Sequence, residues 1–138
     1  MTTTDDALAA RVRQVLDDPL HRWLGVELAD PADPRAGLVL AAGSAAMYPA
    51  GLLHGGMLAA LLDVAASVRL LPELADGEHA VTHAASCSVL RPVPEGTRLL
   101  LRADLLRKSA TRAFLRSSAC VDEEAVAVGQ LTKDLLAR

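Results

Sequence analysis

Two different periods of apolar and polar residues divide the chain into two halves. In the first half, apolar positions at helical spacing predict an N-terminal helix over 5–17, ended by Pro19, and a longer helix over 55–71, stopped by Pro72. Extended runs bounded by turn residues predict strands instead. The predicted strands are 24–29, 37–42, 80–90, 97–106, 111–121 and 125–135.

The order of these elements predicts the fold class. Short connections in the second half favour antiparallel neighbours, because a parallel crossover needs about a dozen residues or more. One long helix followed by an antiparallel sheet is an α+β arrangement with segregated elements. At 138 residues we expect a single domain over 1–138, in which residues 1–19 form an N-terminal helix and cap.

Composition excludes several classes of function. The net charge is −3 and only three residues are aromatic, which argues against a nucleic-acid-binding surface. The charge-free apolar runs are shorter than the roughly 20 residues of a membrane span, and the polar N-terminus does not resemble a signal peptide. We therefore expect a cytoplasmic protein without a membrane partner. Cys87 and Cys120 have no metal or disulfide spacing and are expected to be buried free thiols.

The long helix has one face of small residues with a carboxylate among them. The helix is otherwise apolar nearly all round, which marks a buried helix. A carboxylate in such a place is costly unless it is paired or functional, so Asp63 is either a base or nucleophile, or a structural acceptor for Ser67 or a neighbouring chain. The small face comprises Gly56, Ala59, Ala60, Asp63, Ala66 and Ser67.

The start of this helix offers a second candidate feature. Gly55 and Gly56 follow His54 where backbone N–H groups lack intrahelical acceptors, which suits an oxyanion hole, or simply a glycine turn with His54 as a capping or packing residue. Eight residues separate Gly55 from Asp63, about 12 Å along the axis. One helix cannot bring both to the same carbonyl, so if both act, two subunits of a symmetric dimer must build the site.

The segment Tyr48-Pro-Ala-Gly-Leu-Leu-His54-Gly-Gly-Met-Leu-Ala-Ala-Leu-Leu-Asp63 resembles the hotdog-fold thioesterases of the phenylacetyl-CoA and 4-hydroxybenzoyl-CoA type. Their pattern is Asn/Gln-Pro-x-Gly-x-x-His-Gly-Gly, with Asp or Glu nine residues after the His. The segments 21–26 and 80–92 are similar to that family as well, so the likeness covers roughly residues 20–134.

This resemblance implies a hotdog fold, in which a long central helix is wrapped by an antiparallel sheet, in a homodimer or a dimer of dimers. It also implies hydrolysis of acyl-CoA thioesters without a metal or an organic cofactor. Carried over by position, Asp63 is the nucleophile or general base, and the Gly55 N–H polarises the carbonyl from the other subunit. His54 supports that loop, Ser67 is an auxiliary hydroxyl, and Thr82 positions the attacking water.

The chain departs from the family pattern at two places. Tyr48 stands where the family has Asn or Gln to bind the carbonyl or water, and a phenol is larger and directed differently. Ala84 stands where some members carry an acidic residue, and His83 beside it is expected to be structural. These changes leave the substrate open.

A run of basic residues in the second half is a candidate for contacting the phosphates of coenzyme A. Arg112 and Arg116 share strand parity with Phe114, so one face would hold all three. The alternative is a solvated strand face. With Tyr48 and Gly56, these arginines complete the set of candidate substrate-binding residues.

The sequence leaves three candidate functions open. The first is hydrolysis of an acyl-CoA or acyl-carrier thioester. The second is a non-catalytic acyl-CoA-binding dimer, favoured by Tyr48. The third is a hydratase or dehydratase of the same fold, for which the sequence offers no paired Asp/His arrangement beyond His54 and Asp63.

Overall fold

The computed structural model describes residues 3–43 and 51–137. Three α-helices precede most of the sheet: α1 (Thr3–Leu16), α2 (Pro19–Leu24) and α3 (Gly55–Leu70). The strands are β1 (Glu27–Leu28), β2 (Leu38–Ala41), β3 (Glu78–Val89), β4 (Arg98–Lys108), β5 (Arg112–Val121) and β6 (Glu124–Ala137). The long helix, the α+β class and the antiparallel sheet are therefore confirmed.

All six strands form one antiparallel sheet in the order β1-β2-β4-β5-β6-β3. The last three strands pair with their chain neighbours, as short connections favour, whereas β3 pairs with β6 and lies at the sheet edge. Leu- and Ala-rich segments form these strands because their apolar residues alternate, and in β4 Leu99 and Leu101 are fully buried beside exposed arginines. The alternation of apolar and polar residues therefore outweighs the intrinsic helix propensity of leucine in these strands.

One predicted strand is wrong in its first half. Residues 19–24 form α2, and the strand is confined to Glu27–Leu28. Asp18 caps α2 by accepting a hydrogen bond from the Leu20 N–H, Pro19 occupies the first helical turn, and Gly25 ends it at φ +77°. Pro19 therefore begins a second helix in addition to following the first.

Helix α3 packs across the inner face of the sheet, against β3, β4, β5 and β6. Leu58, Leu61, Leu62 and Val68 are at most 1% exposed and join the sheet in one core. The segment Gly55–Glu73 is, by length and composition, long and apolar enough to cross a membrane, contrary to the sequence expectation. Half of that segment is buried inside the chain, which is the environment of a core helix.

The two cysteines lie in β3 and β5. Both are free, and both are half-buried rather than fully buried as expected. Burial raises the pKa of the Cys87 thiol.

Candidate active site

The first turn of α3 presents one backbone donor. His54 caps the helix, and its Nδ1 accepts a hydrogen bond of 3.0 Å from the Gly56 N–H. The Gly55 N–H has no acceptor among residues 3–43 and 51–137. The His54 cap therefore uses the Gly56 N–H and leaves the Gly55 N–H free to donate away from the helix. The helix dipole favours negative charge at this position.

A cavity of about 380 Å³ lies beside Gly55. Its wall is mainly apolar, and Val89 and Leu90 are about half exposed there. A Cβ added at Gly55 would meet only Val89 Cγ2, at 3.9 Å, which is ordinary contact. The space in front of this helix end is therefore open within one chain. The lining residues are Leu52, Leu53, Gly55, Val89, Leu90, Arg91 and Pro92.

Asp63 lies two turns further along α3, and 36% of its side chain is exposed. Its Oδ1 accepts two hydrogen bonds, at 2.8 Å from Thr82 Oγ1 and at 2.7 Å from Lys133 Nζ. Thr82 and Lys133 are paired in register on β3 and β6, so both side chains reach α3 from the inner face of the sheet. The sequence-predicted residues Asp63 and Thr82 are thus brought together.

Ser67 joins the same cluster one helical turn later. Its hydroxyl donates to the Asp63 backbone carbonyl at 3.0 Å and accepts from Lys133 Nζ at 2.8 Å. Ser67 also borders a second cavity, of about 390 Å³, with Arg11, His21 and Glu78 among its polar lining residues. The carboxylate end of the site is therefore polar, in contrast to the apolar wall at Gly55.

Lys133 is a residue of this cluster that the sequence reasoning missed. Its side chain is only 2% exposed. The signal was present, since Leu131, Lys133 and Leu135 occupy alternate positions of one strand, and a lysine between two leucines on the buried face needs a partner.

The candidate phosphate-binding arginines lie apart from this cluster. Arg112 pairs in register with Asp134, the residue after Lys133, on the outer face of the sheet. Its Nε donates to Asp134 Oδ1 at 2.8 Å. Arg116 has the same parity and is exposed. Within one chain, the sheet separates both arginines from Asp63, and their role toward coenzyme A stays a prediction.

The strand irregularity next to Thr82 explains the position of His83. The register of β3 and β6 shifts between Thr82 and Ala84, so His83 is an extra residue of β3. Its Nδ1 lies 3.4 Å from Asp134 Oδ2, on the outer face of the sheet. Tyr48 lies outside the described residues.

Within the described ranges, no group of three or more His, Cys, Asp or Glu side chains is arranged to hold a metal ion. The chemistry that this site offers with its own residues is that of a carboxylate oxygen and a backbone donor. Asp63 Oδ2 has no hydrogen-bond partner among the residues described, and it is the oxygen available to a substrate or water.

Comparison with known proteins gives one family. The model of the thioesterase superfamily matches residues 50–128 of this chain. A search of curated protein sequences finds no match.

Solved structures give the same fold. A phenylacetic acid degradation-related protein of Ralstonia eutropha is 26% identical, with 92% of this chain and 98% of that chain covered and a TM-score of 0.77. A Bacillus halodurans protein solved with CoA is 27% identical, with 97% and 86% covered and a TM-score of 0.78. A Haemophilus influenzae thioesterase is 23% identical, with 99% and 93% covered and a TM-score of 0.80, and supports the hotdog fold alone.

Proposed function

This chain belongs to the thioesterase superfamily, and we propose that it hydrolyses an acyl-CoA or acyl-carrier thioester to the free acid and the thiol. The observation that carries the proposal is the Asp63 carboxylate, which is bonded through Oδ1 and offers Oδ2 on a partly exposed helix face. The relative solved with CoA supports coenzyme A as the thiol.

Asp63 Oδ2 has two possible routes to the products. In one, it attacks the thioester carbonyl carbon, the C–S bond breaks, and water then hydrolyses the resulting anhydride. In the other, it takes a proton from a water that attacks the same carbon. Both routes release a thiolate that takes up a proton. Both place negative charge on the carbonyl oxygen, where a Gly55 N–H would stabilise it.

We infer that two chains build each site. The roughly 12 Å between Gly55 and Asp63 along one helix is too long for a single carbonyl to span. Ala59 and Ala60, on the same small face as Asp63, are only half-buried within one chain. The 12-residue strand β3 is an edge strand whose residues 81–86 are exposed, and long edges of this kind are normally covered. A second copy, which brings its own Gly55 to the first copy's Asp63, suits these features.

The first experiment measures release of free thiol from a panel of acyl-CoA thioesters by the wild-type protein and by Asp63→Asn. The variant keeps the shape of the side chain but loses its charge and basicity, so we expect turnover to fall at least about 100-fold. Asp76→Asn is the matched control, because it makes the same change in an exposed Asp-Gly turn that asparagine also suits.

Melting temperature and light scattering accompany each assay. A folded, dimeric Asp63→Asn protein with full turnover would mean that Asp63 is not catalytic. A wild-type protein that binds acyl-CoA but releases no thiol from any member of the panel would be the non-catalytic binding dimer instead.

The second experiment tests whether the site is shared. Gly55→Val and Asp63→Asn chains are each expected to be inactive. Co-expressed with different tags, they form hybrid dimers that carry one intact site, so random pairing should restore about a quarter of wild-type turnover. Sites built within one chain would give no recovery.

A further inference from the structure

Lys133 has the most buried charged side chain among the described residues, and every proton on its ammonium group has an acceptor. Nζ lies 2.7 Å from Asp63 Oδ1, 2.8 Å from Ser67 Oγ and 2.7 Å from Thr82 Oγ1. A lysine ammonium has three N–H donors and no acceptor. The three contacts therefore use the group completely.

The direction of the bonds in this cluster follows from that count. Because Lys133 only donates, the two hydroxyl oxygens accept from it and must send their own protons elsewhere. Thr82 sends its proton to Asp63 Oδ1, at 2.8 Å, and Ser67 sends its proton to the Asp63 backbone carbonyl, at 3.0 Å. Both hydroxyl protons are thus committed to Asp63, and neither is left to donate to a substrate or a water.

We propose that Lys133 is the positioning residue of Asp63, an inference that rests on the proposed function. The ammonium fixes Oδ1 directly, and also through Thr82, so that Oδ2 is the oxygen presented to the thioester. Thr82 then orients the carboxylate directly, and Ser67 contributes by holding the Lys133 ammonium. This role differs from the sequence expectation that Thr82 holds the attacking water.

The need for such a clamp is physical. The terminal torsion of an aspartate is broad, so an unrestrained carboxylate turns readily between its two oxygens. A reacting group must lie within about 3–3.5 Å of its target in the right orientation, and a misplacement of about 1 Å can cost about 100-fold in rate. Two donors on one oxygen remove that freedom, and the buried Lys133 supplies one donor and orients the other.

The kinetic test is Lys133→Met, which keeps an unbranched side chain one atom shorter than lysine and removes its donors. We expect kcat to fall about 100-fold while KM changes little, because Lys133 is buried behind Asp63 and does not face the substrate. A side chain that only fills the core would leave kcat unchanged in the folded variant. Lys108→Met is the matched control at the other lysine of the sequence, and it should keep wild-type kcat.

A spectroscopic test uses the folded protein with its Lys133 intact. With only two lysines in the sequence, ¹⁵N-lysine labelling gives two Nζ signals, and Lys108→Met assigns them. We expect the Lys133 ammonium protons to exchange slowly with water, and the Lys133 signal to move in Asp63→Asn while the Lys108 signal stays in place. This measurement decides the contact even if Lys133→Met fails to fold.

The outcomes separate this inference from the proposed function. An inactive Asp63→Asn with a folded Lys133→Met at wild-type kcat would overturn the positioning role and leave the hydrolytic proposal intact. A fully active Asp63→Asn would overturn the proposed function itself. A Lys133→Met protein in which KM rises and kcat is unchanged would also refute the positioning role. So would Lys133 ammonium protons that exchange rapidly with water and a Lys133 signal that does not move in Asp63→Asn.

Discussion

The two lysines of this chain both pair with a carboxylate, and their surroundings differ. Lys133 is 2% exposed and has three acceptors within 2.8 Å. Lys108 is 27% exposed and lies 3.3 Å from Glu78 Oε1. Burying an ion pair costs desolvation that its attraction often fails to offset, so a pair like Lys133–Asp63 is poorly explained by stability alone. Orientation of the carboxylate explains it better.

The Lys108–Glu78 pair has an ordinary structural setting. It lies at the start of β3, where the Glu78 side chain also accepts a hydrogen bond from the Ala75 N–H at 3.2 Å. Arg11 of α1 donates to the Glu78 backbone carbonyl at the same place. These contacts attach the N-terminal helix to the sheet edge, and nothing in them points to a reacting group.

The largest expected effect is an asymmetry between the two partners of the buried pair. Asp63→Ala leaves the Lys133 ammonium buried without its counter-charge, which should lower the free energy of unfolding by about 3–5 kcal/mol. Lys133→Met leaves a carboxylate that is 36% exposed and that water can reach, so we expect a loss of about 1–2 kcal/mol.

Urea unfolding at pH 7 and one protomer concentration measures both losses. The double variant Asp63→Ala/Lys133→Met should recover much of the loss in Asp63→Ala, because it removes the buried charge as well. If Lys133→Met is the more destabilised single variant, then Asp63, and not Lys133, is the residue that depends on its partner.

A smaller effect is expected for the Lys108–Glu78 pair, in which both side chains are partly exposed. In a double-mutant cycle, Lys108→Met and Glu78→Gln should show a coupling of about 0.2–1 kcal/mol. In 1 M salt the screening length falls to about 3 Å, so this coupling should weaken markedly while that between Asp63 and Lys133 changes less. Equal salt sensitivity of the two couplings would contradict the difference in burial.

The sequence predicted the sheet well because its signal is local. Buried and more exposed residues alternate through most of β4 and β5 and over residues 131–135 of β6, and the helix α3 is bounded by Gly55 and Pro72. Helix α2 was missed because its six residues include His21 and Arg22 and are too few for a period to distinguish a short helix from a strand or a loop. The Asp18 cap and the left-handed Gly25 favour the helix, but these signals lie only at the two ends of α2.

The candidate site was predicted only in part. The helix pattern supplied Asp63 with Ser67 beside it, the resemblance gave them roles and added Thr82, and the fold places these three together. Lys133 is 70 residues from Asp63 in the chain, so only strand pairing could place it there. The run of basic residues in the second half of the sequence pointed instead to Arg112 and Arg116, which lie on the other face of the sheet.

The smallest effect expected is a pH dependence at the Lys108–Glu78 pair. The hydrogen bond from the Ala75 N–H is the largest cause lowering the pKa of Glu78 below its ordinary 4.5, burial opposes it, and Lys108 adds to the lowering. A carboxylate with a lowered folded-state pKa contributes stability above its unfolded pKa, and this contribution is lost as the pH falls through the folded value. The difference in unfolding free energy between wild type and Glu78→Gln should therefore be full at neutral pH and shrink below about pH 5.

Lys108→Met sharpens this last measurement. Because the backbone donor is the largest single cause and does not involve the lysine, Lys108→Met should keep part of the pH dependence that Glu78→Gln removes. Urea unfolding of the three proteins between about pH 7 and pH 3 makes the comparison. If Lys108→Met abolishes the dependence as completely as Glu78→Gln does, then the lysine controls this carboxylate, and the two lysines are more alike than their burial indicates.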